Sequence, residues 1–79
     1  MELRLPELSE NNDETVIVEW HLKEKDVIKK GEDLIEVETD KATFDIPAPC
    51  DGVLLRILKK EGDNVLPNEV IAEIQELRG

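Results

Sequence analysis

Apolar positions along the chain come in short runs broken by charged turns. In "TVIVEW" (15–20), Val16, Val18 and Trp20 alternate with Ile17 and Glu19, and His21 follows on the face opposite Trp20. A period of two predicts a strand with one buried face. "GVLLRI" (52–57) repeats it: Val53, Leu55 and Ile57 alternate with Leu54, Arg56 and Leu58. Each run leads into a polar turn, "KEKD" or "KEGD", and Gly62 can take φ > 0 there without steric penalty. A second turn follows in each, "KKGE" or "LPNE", and "DLIEVE" or "VIAEIQ" then closes the series as a strand. The segment "NEVIAEIQEL" also has helix formers near helical spacing, but its counterpart "GEDLIEVET" ends in the β-favouring Val37 and Thr39, so a strand is expected.

These correspondences amount to an internal repeat. Shifted by 37 positions, residues 15–39 fall on residues 52–76 without a gap. Val16/Val53, Lys23/Lys60, Glu24/Glu61, Asp26/Asp63, Glu32/Glu69 and Glu36/Glu73 are identical, and Gly31 meets Asn68, the residue types that best tolerate the left-handed region. Each copy reads strand, turn, short strand, turn, strand. The expected fold is all-β: two similar antiparallel sheets related by a pseudo-two-fold axis and packed face to face as a small sandwich or flattened barrel. Residues 2–5 add an edge strand, and "SENNDE" is a loop. The expected core comes from Val16, Val18 and Trp20, their counterparts Val53, Leu55 and Ile57, and Ile28, Leu34, Val37, Val65, Ile71 and Ile74.

Size and charge narrow the function. Seventy-nine residues allow one domain, 1–79, with a thin core that hides about 60% of the unfolded surface. Cys50 is the only cysteine, which excludes an intramolecular disulfide and a Cys-based zinc site. No apolar run approaches the roughly 20 residues that cross a bilayer, and "MELRLPEL" does not read as a signal peptide. A net charge of −10 would repel phosphate backbones and anionic membrane surfaces, so neither nucleic acid nor membrane is an expected partner. A basic protein partner remains open. The expected location is the cytoplasm, with a mitochondrial matrix as second choice.

Candidate chemistry concentrates at mid-chain, where "TDKATFDIPAPCD" joins the two copies. Asp40 is a good turn residue whose carboxylate can accept local backbone hydrogen bonds. Lys41 would then point into solvent, and Pro47 and Pro49 would limit further ladder bonds after the turn. Under a pseudo-two-fold axis position 41 matches position 78, so the lysine turn and the chain's end would face opposite ways. His21 and Ser9, the only histidine and serine, form no catalytic set, and "NNDE" (11–14) lacks the glycine and spacing of a calcium loop.

"ETDKAT" followed by "IPAP" and "GVL", together with "LPEL", "VEW", "KEKD" and "KKEGDNV", resembles the lipoyl domain of the dihydrolipoyl acyltransferase component of 2-oxo acid dehydrogenase complexes. The likeness covers nearly the whole chain. It implies that lipoic acid is joined through an amide to Lys41 by a lipoate ligase or lipoyl transferase, with Thr39, Asp40 and Ala42 presenting the turn. It implies a carrier that serves the decarboxylating component, the acyltransferase core and dihydrolipoamide dehydrogenase, and that is no catalyst and a monomer by itself. It also implies that Glu10, Asn11, Asn12 and Asp13 help the decarboxylating component choose its domain. Residues 77–79 would begin a linker to a partner-binding domain and an acyltransferase core. Pyruvate, 2-oxoglutarate and branched-chain complexes use similar domains, and the motif does not sort them. Two departures stand out: "DET" near position 14 and Lys25 replace glycines of many members, which demands a different turn or a non-glycine residue at φ > 0. A biotin carrier shares the fold but sets methionines on both sides of its lysine, where this chain has Asp40 and Ala42. A glycine-cleavage carrier protein is another relative, longer and with additional helices, and an acidic interaction module with an unmodified Lys41 is an alternative of a different class.

Overall fold

A computed structural model describes residues 1–8 and 14–77. It contains eight strands: β1 (Glu2–Arg4), β2 (Thr15–Trp20), β3 (Val27–Ile28), β4 (Asp33–Glu38), β5 (Thr43–Pro47), β6 (Gly52–Ile57), β7 (Asn64–Val65) and β8 (Val70–Glu76). They form two antiparallel four-stranded sheets, ordered β1-β8-β6-β3 and β5-β4-β2-β7. The expected sandwich is present, and residues 70–76 are strand, not helix. In each sheet the two inner strands come from one copy of the repeat. The short edge strand beside them, β3 or β7, comes from the other. The two halves are therefore interlocked as well as stacked.

The identical residues of the repeat do identical work. Asp26 and Asp63 each accept from the backbone N–H three residues back, at Lys23 (2.9 Å) and Lys60 (2.7 Å). Glu32 and Glu69 do the same for Lys29 (3.2 Å) and Leu66 (3.0 Å). Glu24 accepts the Ile57 N–H at 2.8 Å, and Glu61 accepts the equivalent Trp20 N–H at 3.4 Å. Carboxylates thus satisfy N–H groups of the turns and of the ends of β2 and β6 that the short strands cannot pair. The left-handed positions are Gly31, Gly62, Asn68 and Lys25, the last at φ 77°. The lysine at 25 therefore keeps the turn of its counterpart Gly62 and accepts the strain.

The core departs from the expected one within β2 and β6. Ile17 and Leu54 are buried, whereas Val18 and Leu55 are exposed and Val16 and Val53 half-buried. Register shifts between Ile17 and Glu19 and between Leu54 and Arg56 mark a β-bulge in each strand. Without the bulge, a strand that buries Ile17 would carry Glu19 inward too, and its twin would bury Arg56. The extra residue turns both charges out and brings Trp20 and Ile57 back against the core. An unbroken alternation fitted Trp20 but inverted the residues before it. Ile28, Leu34, Val37, Val65, Ile71 and Ile74 are fully buried as expected, joined by Ile35 and Leu5 and by the slightly less buried Leu3.

Candidate functional site: the 39–42 turn

β4 and β5 form a hairpin closed by the Glu38–Thr43 pair, with residues 39–42 as its tip. The Thr39 N–H donates to the Ala42 carbonyl at 2.8 Å. The Ala42 N–H does not return to the Thr39 carbonyl. It donates to Thr39 Oγ1, as does the Lys41 N–H, each at 3.3 Å. The hydroxyl in turn lies 3.3 Å from the Ala42 carbonyl, to which it donates. Thr39 is buried, while Asp40, Lys41 and Ala42 are exposed. Neither Asp40 nor Lys41 is among the positive-φ residues, so the tip needs no glycine.

Lys41 is thus exposed at the apex of a hydrogen-bonded turn, as its sequence position predicted. Asp40 differs from expectation: among the described residues its carboxylate accepts no turn N–H, and Thr39 supplies the acceptor. A threonine at the first position of a four-residue tip is the signal that could have shown this, because its hydroxyl can bond backbone groups two and three residues on. Beside the turn runs a groove of about 400 Å³ lined by Glu14, Val16, Glu38, Thr39 and Asp40. Glu10, Asn11, Asn12 and Asp13, the expected partner-recognition loop, lie outside the described residues.

Pairing fixes where the turn sits in the molecule. β2 begins beside it, since Val16 pairs with Glu38. β6 begins beside Leu77, whose N–H donates to the Asp51 carbonyl. The far ends of β2 and β6 meet in the middle, where Trp20 Nε1 donates to the Lys59 carbonyl at 2.8 Å. The 39–42 turn and Leu77 therefore occupy opposite ends of a molecule 38 Å long. Position 78 itself lies outside the described residues. A larger groove of about 650 Å³, lined by Trp20, Leu22 and Ile57 with Lys23, Lys60, Glu24 and Glu61, crosses the middle, away from the turn. Cys50 is remote as well. Its thiol donates to Met1 Sδ at 3.6 Å, and burial, then the Glu76 carboxylate, pushes its pKa up.

A lysine-linked prosthetic group fits this tip. The turn's hydrogen bonds are made by backbone groups and by Thr39, none by the Lys41 amine among the described residues. Acylating that amine would remove its charge without breaking a bond that shapes the hairpin.

The family model described as biotin-requiring enzyme, the biotin/lipoyl family, matches residues 1–74. The solution structure of the lipoyl domain of the 2-oxoglutarate dehydrogenase complex from Azotobacter vinelandii is similar, with a TM-score of 0.78, 32% identity and 95% of each chain covered. The dihydrolipoyllysine-residue succinyltransferase components of the 2-oxoglutarate dehydrogenase complexes of Rickettsia felis and Pseudomonas aeruginosa are 44% and 36% identical over 72 and 76 residues. Those stretches cover 91% and 96% of this chain but 18% and 19% of the relatives, so the chain spans about a fifth of their length. The biotin alternative is not favoured by these likenesses or by the residues beside Lys41. The chain belongs to the biotin/lipoyl family and, within it, is a lipoyl domain.

Proposed function

We propose that Lys41 is the attachment point of the lipoyl group, and that the domain carries succinyl groups and electrons within a 2-oxoglutarate dehydrogenase complex. The observation that carries this reading is the exposed lysine at the apex of the β4–β5 hairpin in a lipoyl domain. In the modification step the Lys41 amine attacks the carboxyl carbon of an activated lipoate. A C–N amide bond forms, the activating group leaves, and the amine gives up its proton. When bound, the lipoyl group supplies a dithiolane that takes up an acyl group and electrons at one active site and yields them at others.

The chain's own residues present and orient. Thr39 and the backbone hold the tip, Asp40 and Ala42 flank the amine, and the far end of the domain leaves the tip clear of any tether. A tethered domain meets its partners at an effective concentration of about millimolar for short linkers. The succinyl choice rests on the names of the relatives cited above, which are succinyltransferase components. The proposed partners are the decarboxylating, acyltransferase and dihydrolipoamide dehydrogenase components, with a lipoate ligase or lipoyl transferase acting first. The parent protein is proposed to be the acyltransferase.

Intact mass after incubation with lipoate, ATP and a lipoate ligase tests the site: one lipoyl group on the wild type and none on Lys41→Arg. Reductive acylation of the modified domain then tests the complex. The 2-oxoglutarate decarboxylating component should acylate it far faster than the pyruvate or branched-chain components. An adduct on Lys41→Arg would sink the site, and a preference for pyruvate would sink the succinyl assignment.

A further inference from the structure

We propose that Thr39 is the positioning residue of the modification turn, its hydroxyl setting where Lys41 stands. The inference rests on the reading of Lys41 as the lipoylated residue. Thr39 and Thr15 are the buried polar residues of the described chain. All three contacts of the Thr39 hydroxyl go to the tip: it accepts from the N–H groups of Lys41 and Ala42 and donates to the Ala42 carbonyl. In an ordinary turn of this length the last N–H bonds the carbonyl of the first residue. Here the side chain of that residue takes the carbonyl's place and also captures the N–H of the modified lysine. Among the described residues the side chains of Asp40, Lys41 and Ala42 make no hydrogen bond that could do this instead. The oxygen belongs to the buried residue that directly follows β4, so the exposed Lys41 backbone is referred to that residue.

Valine has nearly the shape of threonine and would still fill the buried space. It would leave both N–H groups to water, which can reach them at an exposed tip. The hairpin would persist while its tip sampled other conformations. A ligase that binds one conformation then sees its apparent affinity fall by the fraction still in that conformation, while turnover of the bound domain is unchanged. One lost hydrogen bond of ordinary net strength shifts that equilibrium about fivefold, which sets the upper bound on the fall in affinity.

The test compares wild type, Thr39→Val and Thr39→Ser. The first measurement is ligase kinetics with lipoate and ATP; the second is amide hydrogen exchange. Thr39→Val should raise the ligase KM for the domain, by up to about fivefold, with kcat unchanged. It should speed exchange at Lys41 and Ala42 by a similar factor and leave Val37 and Ile74 as in the wild type. Thr39→Ser keeps the hydroxyl and should restore both. Wild-type KM in Thr39→Val overturns the proposal, as does faster exchange throughout the core, which would make Thr39 merely structural. A wild type that accepts no lipoyl group would fail the carrier reading instead, and exchange at Lys41 and Ala42 would still report whether Thr39 holds the tip.

Discussion

Single residues in this domain carry backbone demands that their side chains do not advertise. Lys25 sits at φ 77° and its counterpart Gly62 at φ 90°, so the same turn is built once with a lysine and once with a glycine. A non-glycine residue in the left-handed region is strained by about 1–2 kcal/mol. Glycine would relieve that but gain freedom in the unfolded chain. Lys25→Gly should therefore raise the stability by up to about 1 kcal/mol, and Gly62→Ala should lower it by about the same, read from urea midpoints. A loss in Lys25→Gly would mean that contacts of the lysine stem outweigh the strain. Gly52 makes a different demand, since a Cβ there would collide with the Gln75 carbonyl of β8. Much of this was legible beforehand. Gly31 against Asn68 announced a shared left-handed turn, and Lys25 in place of a glycine announced strain. The Thr39 hydroxyl was not foreseen, because a threonine in a strand-ending run reads first as a β-former and only the hairpin's geometry shows where its oxygen points.

At the scale of elements, repeated strands and turns were plain from the 37-residue shift, and seven of the eight strands fall where the pattern put them; β5 lies in the segment that joins the two copies, outside the repeat. What the pattern could not carry was the bulge. Alternation assumes that every residue of a strand faces one residue of its neighbour. Val18 and Leu55 break that count, so the faces before and after them differ in phase. The consequence is measurable. Ile17→Ala should lose about 2–5 kcal/mol as a fully buried side chain, and Val18→Ala less than about 1 kcal/mol. Equal losses would restore the unbroken strand. The bulges also explain Glu24 and Glu61, which reach across the pseudo-two-fold axis to the N–H groups of Ile57 and Trp20 just beyond them.

For the whole molecule, the surplus of acid is not shared evenly between the sheets. On one, Glu19 pairs with Glu36 and Glu36 with Asp45, three carboxylates across adjacent strands. On the other the equivalent row is Arg56, Glu73 and Glu2, and Arg4 binds Glu2 at 2.8 Å. Acid should still unfold the domain, because carboxylates also hold its turns. Glu69 shows the sign. The Leu66 N–H and then the Lys59 ammonium, 2.8 Å away, keep its carboxyl below the usual range, and Glu69 in return holds the Lys59 pKa up. Stability from Glu69 is thus present above the ordinary carboxylate value and lost as pH falls through the lowered one. That from Lys59 is present below the ordinary lysine value and lost as pH rises through the raised one. The melting-temperature gap between wild type and Glu69→Gln should accordingly be widest near neutrality and close below about pH 4. A gap that widened in acid would refute this linkage. The interlocked edges bear on how such a domain is made. Each copy supplies the centre of one sheet and a border of the other, so neither can finish folding while the other is loose. Two copies of one motif interlocked in this way are expected to melt together as one cooperative unit, with no half-built stage at which the lysine hairpin stands alone.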